Sequence, residues 1–347
     1  MRSFQRRSTL DPVPGGIVAV LREIDRAAGG EARYADQLPQ LLASLREQAR
    51  IESITASSAI EGVVVESARV PMLVSAQPSR FRSRSEAEFA GYSAALDYLN
   101  RQNPGPLSVG LVLQMHRLLF SFTDAGGGRF KLDDNLVVDN EPDGSTKVRF
   151  TPVSARETEH FVSELVDRTN AALASGELHS LLVTAAFALD VLCIHPFADG
   201  NGRVTRLLTT HLLQNSGYGV GRYVSLEQLI FETKDDYYAA LHKSTAGWFD
   251  DGAHSVWPWT EYLLGCIDGA YQRFMARVAA GTSPGTKQDR IRDFVLLHAP
   301  ASFSIGDIRR AVPGVSDNTI RLVLSALKAA GLISSDGLGR SATWQRV

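Results

Sequence analysis

His195-Pro196-Phe197-Ala198-Asp199-Gly200-Asn201-Gly202-Arg203-Val204-Thr205-Arg206 follows a run, Leu181 to Ile194, that is almost wholly apolar. The run reads as a buried helix. Pro196 disfavours helical geometry at the residue before it, so the helix ends at His195 and a base is held at the mouth of a core element. Gly200-Asn201-Gly202 tolerates left-handed or strained backbone at three successive positions, the requirement for turning consecutive N–H groups into one anion-binding concavity. Val204, Leu207, Leu208 and Leu212 then recur at helical spacing. The concavity therefore lies at a helix N-terminus, whose dipole also favours a phosphate, and Gly217 is a suitable C-terminal stop.

Arg203 and Arg206 lie three apart in the first helical turn, where the dipole disfavours cations, so an anion is expected to hold them. A polyphosphate fits, because guanidinium forks pair with phosphate oxygens in bidentate geometry. Asp199 adds a hard oxygen ligand for Mg²⁺. His195, neutral near pH 7, can take a proton from an incoming hydroxyl. Singly, each feature has a plainer reading as a helix cap, a turn or a solvated face. Their fixed order within twelve residues favours the chemical reading. A zinc pair formed by His195 and Asp199 ranks far below, since no second His stands at a ligand spacing nearby.

At every fixed position this stretch resembles the signature of the Fic family, His-x-Phe-x-Asp/Glu-Gly-Asn-Gly-Arg-x-x-Arg, whose members typically transfer AMP from ATP onto a protein hydroxyl. The resemblance implies a protein adenylyltransferase acting on a Tyr, Thr or Ser side chain of a protein target, and on itself, with MgATP as donor. His195 is then the catalytic base. Gly200, Asn201, Gly202, Arg203 and Arg206 bind the nucleotide, Asp199 holds the metal, and Phe197 is assigned to packing. Some relatives use another nucleotide or transfer a phosphate, but Asp199 and both arginines favour ATP.

Upstream, residues 42–61 are rich in helix formers and meet Gly62, so a helix ends near Glu61, a carboxylate at a negative dipole end that calls for a cation. Ser57 and Glu61 share one face. Ser57-Ser58-Ala59-Ile60-Glu61-Gly62 is similar to the family's inhibitory motif, Ser/Thr-x-x-x-Glu-Gly/Asn. The resemblance implies that Glu61 pairs with Arg206, denies the ATP γ-phosphate its partner and leaves the enzyme autoinhibited. It also implies a second role for Glu61, positioning water for removal of AMP, which the sequence does not separate from the first.

Asn135-Leu136-Val137-Val138 and Lys147-Val148-Arg149-Phe150 are β-like runs around Pro142-Asp143-Gly144 and read as a hairpin. In Fic proteins such a flap covers the site and binds a target segment by strand addition. Thr233 to Leu241 is similar to a family segment near the adenine, with Tyr237 and Tyr238 as pocket walls or as core.

The 347 residues, 44% hydrophobic, can bury a sizeable core in two or three domains. Asp190 interrupts the longest apolar run, and Arg2, Arg6 and Arg7 precede no signal-type stretch, so a soluble cytoplasmic protein with no membrane partner is expected. Cys193 and Cys266 read as packing residues. The fold class is mainly α: a Fic-type helical core with a small β-hairpin flap, plus a C-terminal winged helix-turn-helix. The divisions are 1–100, carrying the inhibitory motif, 101–278, the catalytic core, and 287–347, with Ala279 to Thr286 as linker.

In the last division helices over 288–297 and 304–312, the Pro313-Gly314-Val315 turn, a longer helix from Ser316 and β-like runs at 332–334 and 342–344, around Gly337 and Gly339, give a winged helix-turn-helix order. Nine Lys plus Arg stand there against five Asp plus Glu, while the whole chain is −2. Arg321, Lys328 and Arg340 are candidates to face phosphates, but Asp317 begins the recognition helix and would repel them, so DNA is not the favoured partner. The rival reading is a nucleotide-responsive DNA-binding regulator. Homodimer formation, common in Fic relatives, is a further expectation that composition does not decide.

Overall fold

The computed structural model describes residues 2–4, 12–75, 80–102, 104–140, 146–249, 254–282, 286–312, 315–337 and 342–347. An N-terminal layer is built from α1 (Gly15–Gln37), α2 (Pro39–Ile60), the short α3 (Val70–Leu73), α4 (Arg84–Gln102) and α5 (Val109–Leu119). α2 starts three residues before the expected Leu42, with Pro39 in its first turn, where a missing N–H is harmless. It stops at Glu61, and Gly62 takes the left-handed conformation with φ +77°. Ser108 caps α5 by accepting from Leu111 N at 3.1 Å.

The flap is the antiparallel pair β1 (Val137–Asn140) and β2 (Thr146–Phe150), with Val138 opposite Val148. Its expected Pro142-Asp143-Gly144 turn lies outside the described residues. Then come α6 (Ala155–Ser175), α7 (Ser180–Ile194), α8 (Asn201–Asn215), α9 (Leu226–Glu232), α10 (Lys234–Thr245) and α11 (Trp257–Thr282).

α7 is buried along nearly its whole length, which is why its sequence is apolar on all sides, and α6, α8, α10 and α11 cover it. Cys193, on α7, and Cys266, on α11, are buried free thiols. The one acid of α7, Asp190, is fully buried and accepts from Ser3 N at 3.2 Å, Ser3 Oγ at 2.6 Å and Trp248 Nε1 at 2.7 Å. Three donors make the buried carboxyl tolerable, although burial still raises its pKa to about 6. Among the described residues no helix is long and apolar enough to cross a membrane.

The anticipated linker is shorter than the sequence suggests, because α11 continues through Ala279 and Ala280 to Thr282. Alanine's helix propensity outweighs the single Gly281 near the helix end. A second, smaller hydrophobic cluster follows. It comprises α12 (Lys287–Asp293), a π turn (Phe294–His298), β3 (Ser302–Phe303), α13 (Ile305–Ala311), α14 (Asp317–Ala329), β4 (Ile333–Asp336) and β5 (Thr343–Arg346).

Capping boxes at Thr286/Asp289 and Ser304/Asp307 start α12 and α13. Ile320, Val323, Leu324 and Leu327 bury one face of α14. The three strands pair antiparallel in the order β3-β5-β4. Two-residue β3 carries no sequence period and was not legible. Pro313, Gly314, Gly339 and Arg340 lie outside the described residues.

Candidate active site

His195 is the C-cap of α7 and the only non-glycine residue with positive φ (51°) among those described. Such a conformation costs a side-chain-bearing residue about 1 kcal/mol, which the buried helix before it and the braced loop after it outweigh. Its Nδ1 lies 3.3 Å from the Leu192 carbonyl. A carbonyl only accepts, so Nδ1 carries the proton and Nε2 is left as the basic atom. Burial, reinforced by the Lys131 charge and partly opposed by the Leu192 bond, lowers the imidazole pKa to about 4.

The loop after it differs from the three-residue nest read from sequence. Only Gly200 is left-handed (φ 81°); Asn201 and Gly202 already form the first turn of α8. Any anion is therefore met by helix N-terminal amides rather than by an extended nest. A Cβ on Gly200 would collide with Leu119 and Phe120, so this position requires glycine for space as well as for φ. Asn201 turns inward: its Oδ1 accepts from Phe197 N at 2.8 Å and its Nδ2 donates to Phe197 O at 2.7 Å. Its side chain braces the loop.

Arg206 is buried, and its Nε and Nη2 donate to the C-terminal end of α2 and its cap residue. Nε donates to Ser57 Oγ at 2.9 Å, and Nη2 donates to Ser57 O at 3.0 Å and to Glu61 Oε1 at 2.9 Å. Burial opposes the guanidinium charge, but Glu61 and the neighbouring tyrosine hydroxyls hold its pKa above the usual value. Nη1 is buried and makes no hydrogen bond. A Cβ placed on Gly202 would fall on Glu61 Oε1 and close to Arg206 Nη1. The carboxylate thus sits directly over the α8 N-terminus, where the dipole and a guanidinium both favour an anion.

Arg203, expected to wait for a phosphate, is already answered by the protein. It is 2% exposed; Nη1 donates to the buried Glu88 at 2.6 Å, Nη2 lies 3.5 Å from Asp199, and the guanidinium lies 5.5 Å from the Phe120 ring. Glu88 also binds Arg84 Nε at 2.5 Å, and Arg84 Nη2 reaches Asp199 Oδ2 at 2.9 Å. The four side chains form a closed ring of alternating charge.

Among the described residues no three His, Cys, Asp or Glu side chains gather as a metal cage. A single half-exposed carboxylate is nonetheless the donor set Mg²⁺ uses when phosphates and water supply its other ligands, so Asp199 fits that ion once Arg84 releases it.

A cavity of about 420 Å³ opens on His195, Glu61, Gly202, Tyr237, Tyr238, Lys234 and the flap residues Val138, Arg149 and Phe150. Tyr237 is largely core, packed edge-on against Trp259 and Tyr262, and shows the cavity one side. Tyr238 is half-buried, with Arg149 at 5.3 Å and Lys234 at 5.9 Å from its ring.

Sequence reasoning missed the way the segment before the flap grips the backbone around His195. Lys131 N donates to Pro196 O at 2.9 Å, Lys131 Nζ to Ile194 O at 3.2 Å and Asn135 Nδ2 to Phe197 O at 3.0 Å. Burial lowers the Lys131 amine to about 8. His116, also missed, stacks on Phe197 with ring centroids 3.9 Å apart and accepts from Gly128 N at 2.9 Å, while burial lowers its pKa to about 4.

Residues 106–213 match the Fic/DOC family. Protein adenylyltransferase fic-1 of Caenorhabditis elegans is 27% identical over 197 residues, 55% of this chain and 34% of that protein. Protein adenylyltransferase Fic of Drosophila virilis is 29% identical over 134 residues, 38% of this chain and 25% of that protein. The chain thus spans about a third or less of the length of these curated relatives.

A crystal structure of a Fic family protein from Desulfovibrio desulfuricans superposes with a TM-score of 0.61 at 21% identity, over 96% of this chain and 97% of that one. A C. elegans Fic-1 fragment gives 0.53 at 21% identity, over 81% and 83%. These likenesses establish the helical Fic fold.

Proposed function

We propose that this chain is a protein adenylyltransferase that moves AMP from ATP to a Tyr, Thr or Ser hydroxyl, with Glu61 holding it at rest. One observation carries the reading: His195 and the Glu61 carboxylate seated over Gly202 and paired with Arg206 border the same cavity. A carboxylate seated where the helix dipole and a guanidinium favour an anion accounts for a resting state that an incoming phosphate would displace.

In the reaction, His195 Nε2 takes the proton of the target hydroxyl as its oxygen bonds to the α-phosphorus and the bond to pyrophosphate breaks. The α8 amides and Arg203 stabilise the oxygens that gain charge, and Arg206, released by Glu61, holds the γ-phosphate. Mg²⁺ held by Asp199 would neutralise the phosphates. Tyr238 walls the nucleotide pocket, and the flap aligns an extended target segment by strand pairing. Glu61, swung out, can also order water for removal of AMP.

We divide the chain into residues 1–100, 101–278 and 287–347, and read the last as a winged helix. Asp317, paired with Arg309 at 2.5 Å, and the 64%-exposed Leu322 on α14 favour a protein partner over DNA there. Unpaired thiols and ATP chemistry suit the cytoplasm. Self-modification and a homodimer belong to the same reading.

The test is incubation of Glu61→Gly protein and cell lysate with ATP labelled at the α- or the γ-phosphate. Label on protein from the α position alone supports AMP transfer. Label from the γ position alone establishes phosphoryl transfer instead.

A further inference from the structure

A groove of about 780 Å³, larger than the cavity at His195, lies between α2, α4, the C-terminal half of α8 and residues 221–227. The reaction proposed above leaves it unused. Four guanidiniums line it: Arg46 and Arg50, one turn apart on α2, Arg101 on α4 and Arg222 opposite. Two of them are set in place. Arg50 is held by both Asp97 oxygens at 2.6 and 2.9 Å, by Ser93 Oγ at 2.8 Å and by the Val74 carbonyl at 3.0 Å. Arg46 donates to the Tyr223 hydroxyl at 2.9 Å and rests over that ring.

Three acids line the groove too: Glu47, Asp97, which answers Arg50 and lies 3.5 Å from Arg101, and Glu227, only 3% exposed. Hydroxyls alone answer Glu227, Tyr92 at 3.1 Å and Ser225 at 3.3 Å, with no ammonium or guanidinium in ion-pairing range among the described residues. A buried carboxylate in that position calls for further donors. Asn100, Gln214, Thr210 and Ser53 line the same groove with amide and hydroxyl groups, and no aromatic ring lines it.

We infer that this groove is a second ligand site, for a phosphorylated polyol of the sugar-phosphate class. The phosphate meets the guanidiniums and the hydroxyls meet Glu227 and the amides. The lack of a stacking ring argues against a nucleobase. The site also reaches the resting contact. Fully buried Tyr92 bonds Glu227 and lies within reach of Ser57, which accepts from Arg206 Nε. A ligand bridging α2 to residues 221–227 tightens α2 against α8 and α9, and so holds Glu61 on Arg206. That regulatory consequence rests on the function proposed above; binding at the groove does not.

The test is calorimetry with ribose 5-phosphate, inorganic phosphate and ribose as separate probes. Submillimolar binding of ribose 5-phosphate, at least tenfold weaker in Arg46→Gln and in Glu227→Gln, supports the site. Failure to bind overturns it, as does binding no tighter than inorganic phosphate or indifferent to both substitutions. The conservative exposed change Arg46→Gln guards against loss of folding. Saturating ribose 5-phosphate should weaken ATP binding several-fold in the wild type but not in Glu61→Gly; equal effects in both would overturn the coupling while leaving the site and the proposed activity standing.

Discussion

Arg203 and Glu88, 115 positions apart, meet in a buried ion pair with Nη1 2.6 Å from Oε2. The first-turn arginine of α8, which the helix dipole disfavours, is stabilised by an acid from α4 before any nucleotide arrives. Removing one partner of a buried pair strands the other. Glu88→Ala should therefore lower stability by about 3–5 kcal/mol, read from urea denaturation, and Glu88→Gln by less because it keeps a hydrogen bond. A change within about 0.5 kcal/mol for Glu88→Ala would show that the pair does not hold α8 to α4.

Arg84 touches the same ring from outside and occupies an oxygen of Asp199. Being largely exposed, that contact contributes little to stability. Its effect should appear in metal affinity: Arg84→Gln should tighten Mn²⁺ binding in the presence of a non-hydrolysable ATP analogue about threefold or more, measured by electron paramagnetic resonance. Weaker Mn²⁺ binding would mean that Arg84 serves the nucleotide rather than competing with the ion.

The pH response follows from buried imidazoles. His195, at about 4 where an ordinary imidazole has 6.5, is neutral throughout the physiological range. AMP transfer by Glu61→Gly protein should stay level as pH falls from 7.5 to about 5.5 and fall as His195 takes a proton near 4. A half-loss near 6.5 would contradict the burial argument. His116 and His254 are lowered to about 4 as well, so the folded state binds fewer protons than the unfolded chain between about 4 and 6.5. Their stabilising contribution is complete above 6.5 and is lost as pH falls through that window, which thermal melts at pH 7 and pH 5 will report.

Lys131 joins the flap side of the chain to the backbone on both sides of His195. Lys131→Met removes a bond to the Ile194 carbonyl and a positive neighbour of His195, so it should slow transfer by about tenfold or more and move the acid limb to higher pH. Lys131→Arg, which keeps the charge, should restore the acid limb. An unchanged pH profile in Lys131→Met would reduce the residue to a packing role.

Much of the site was legible because its signals are local. The apolar run before Pro196 marks α7 and its end, Gly62 marks the end of α2, and a carboxylate at that end calls for the cation that Arg206 supplies at 2.9 Å. What was not legible is pairing over distance. Nothing near Arg203 in sequence points to Glu88, and nothing near Ile194 points to Lys131, since each contact exists only once helices pack. The expected nest failed for a local reason: Asn201 prefers to brace Phe197, which leaves Gly200 as the one left-handed residue of the three. Tyr237 had two readings open, and it packs as core while still bordering the cavity.

In the proposed reading Glu61, 2.9 Å from Arg206, and the γ-phosphate compete for that guanidinium. Calorimetric titration of ATP and of ADP into wild type and Glu61→Gly separates that competition from a general effect on the pocket. The Glu61→Gly change should strengthen ATP binding by about tenfold or more, equivalent to about 1.4 kcal/mol, and leave ADP binding nearly unchanged. Equal gains for both nucleotides, or none for ATP, would contradict a carboxylate seated in the place of the γ-phosphate.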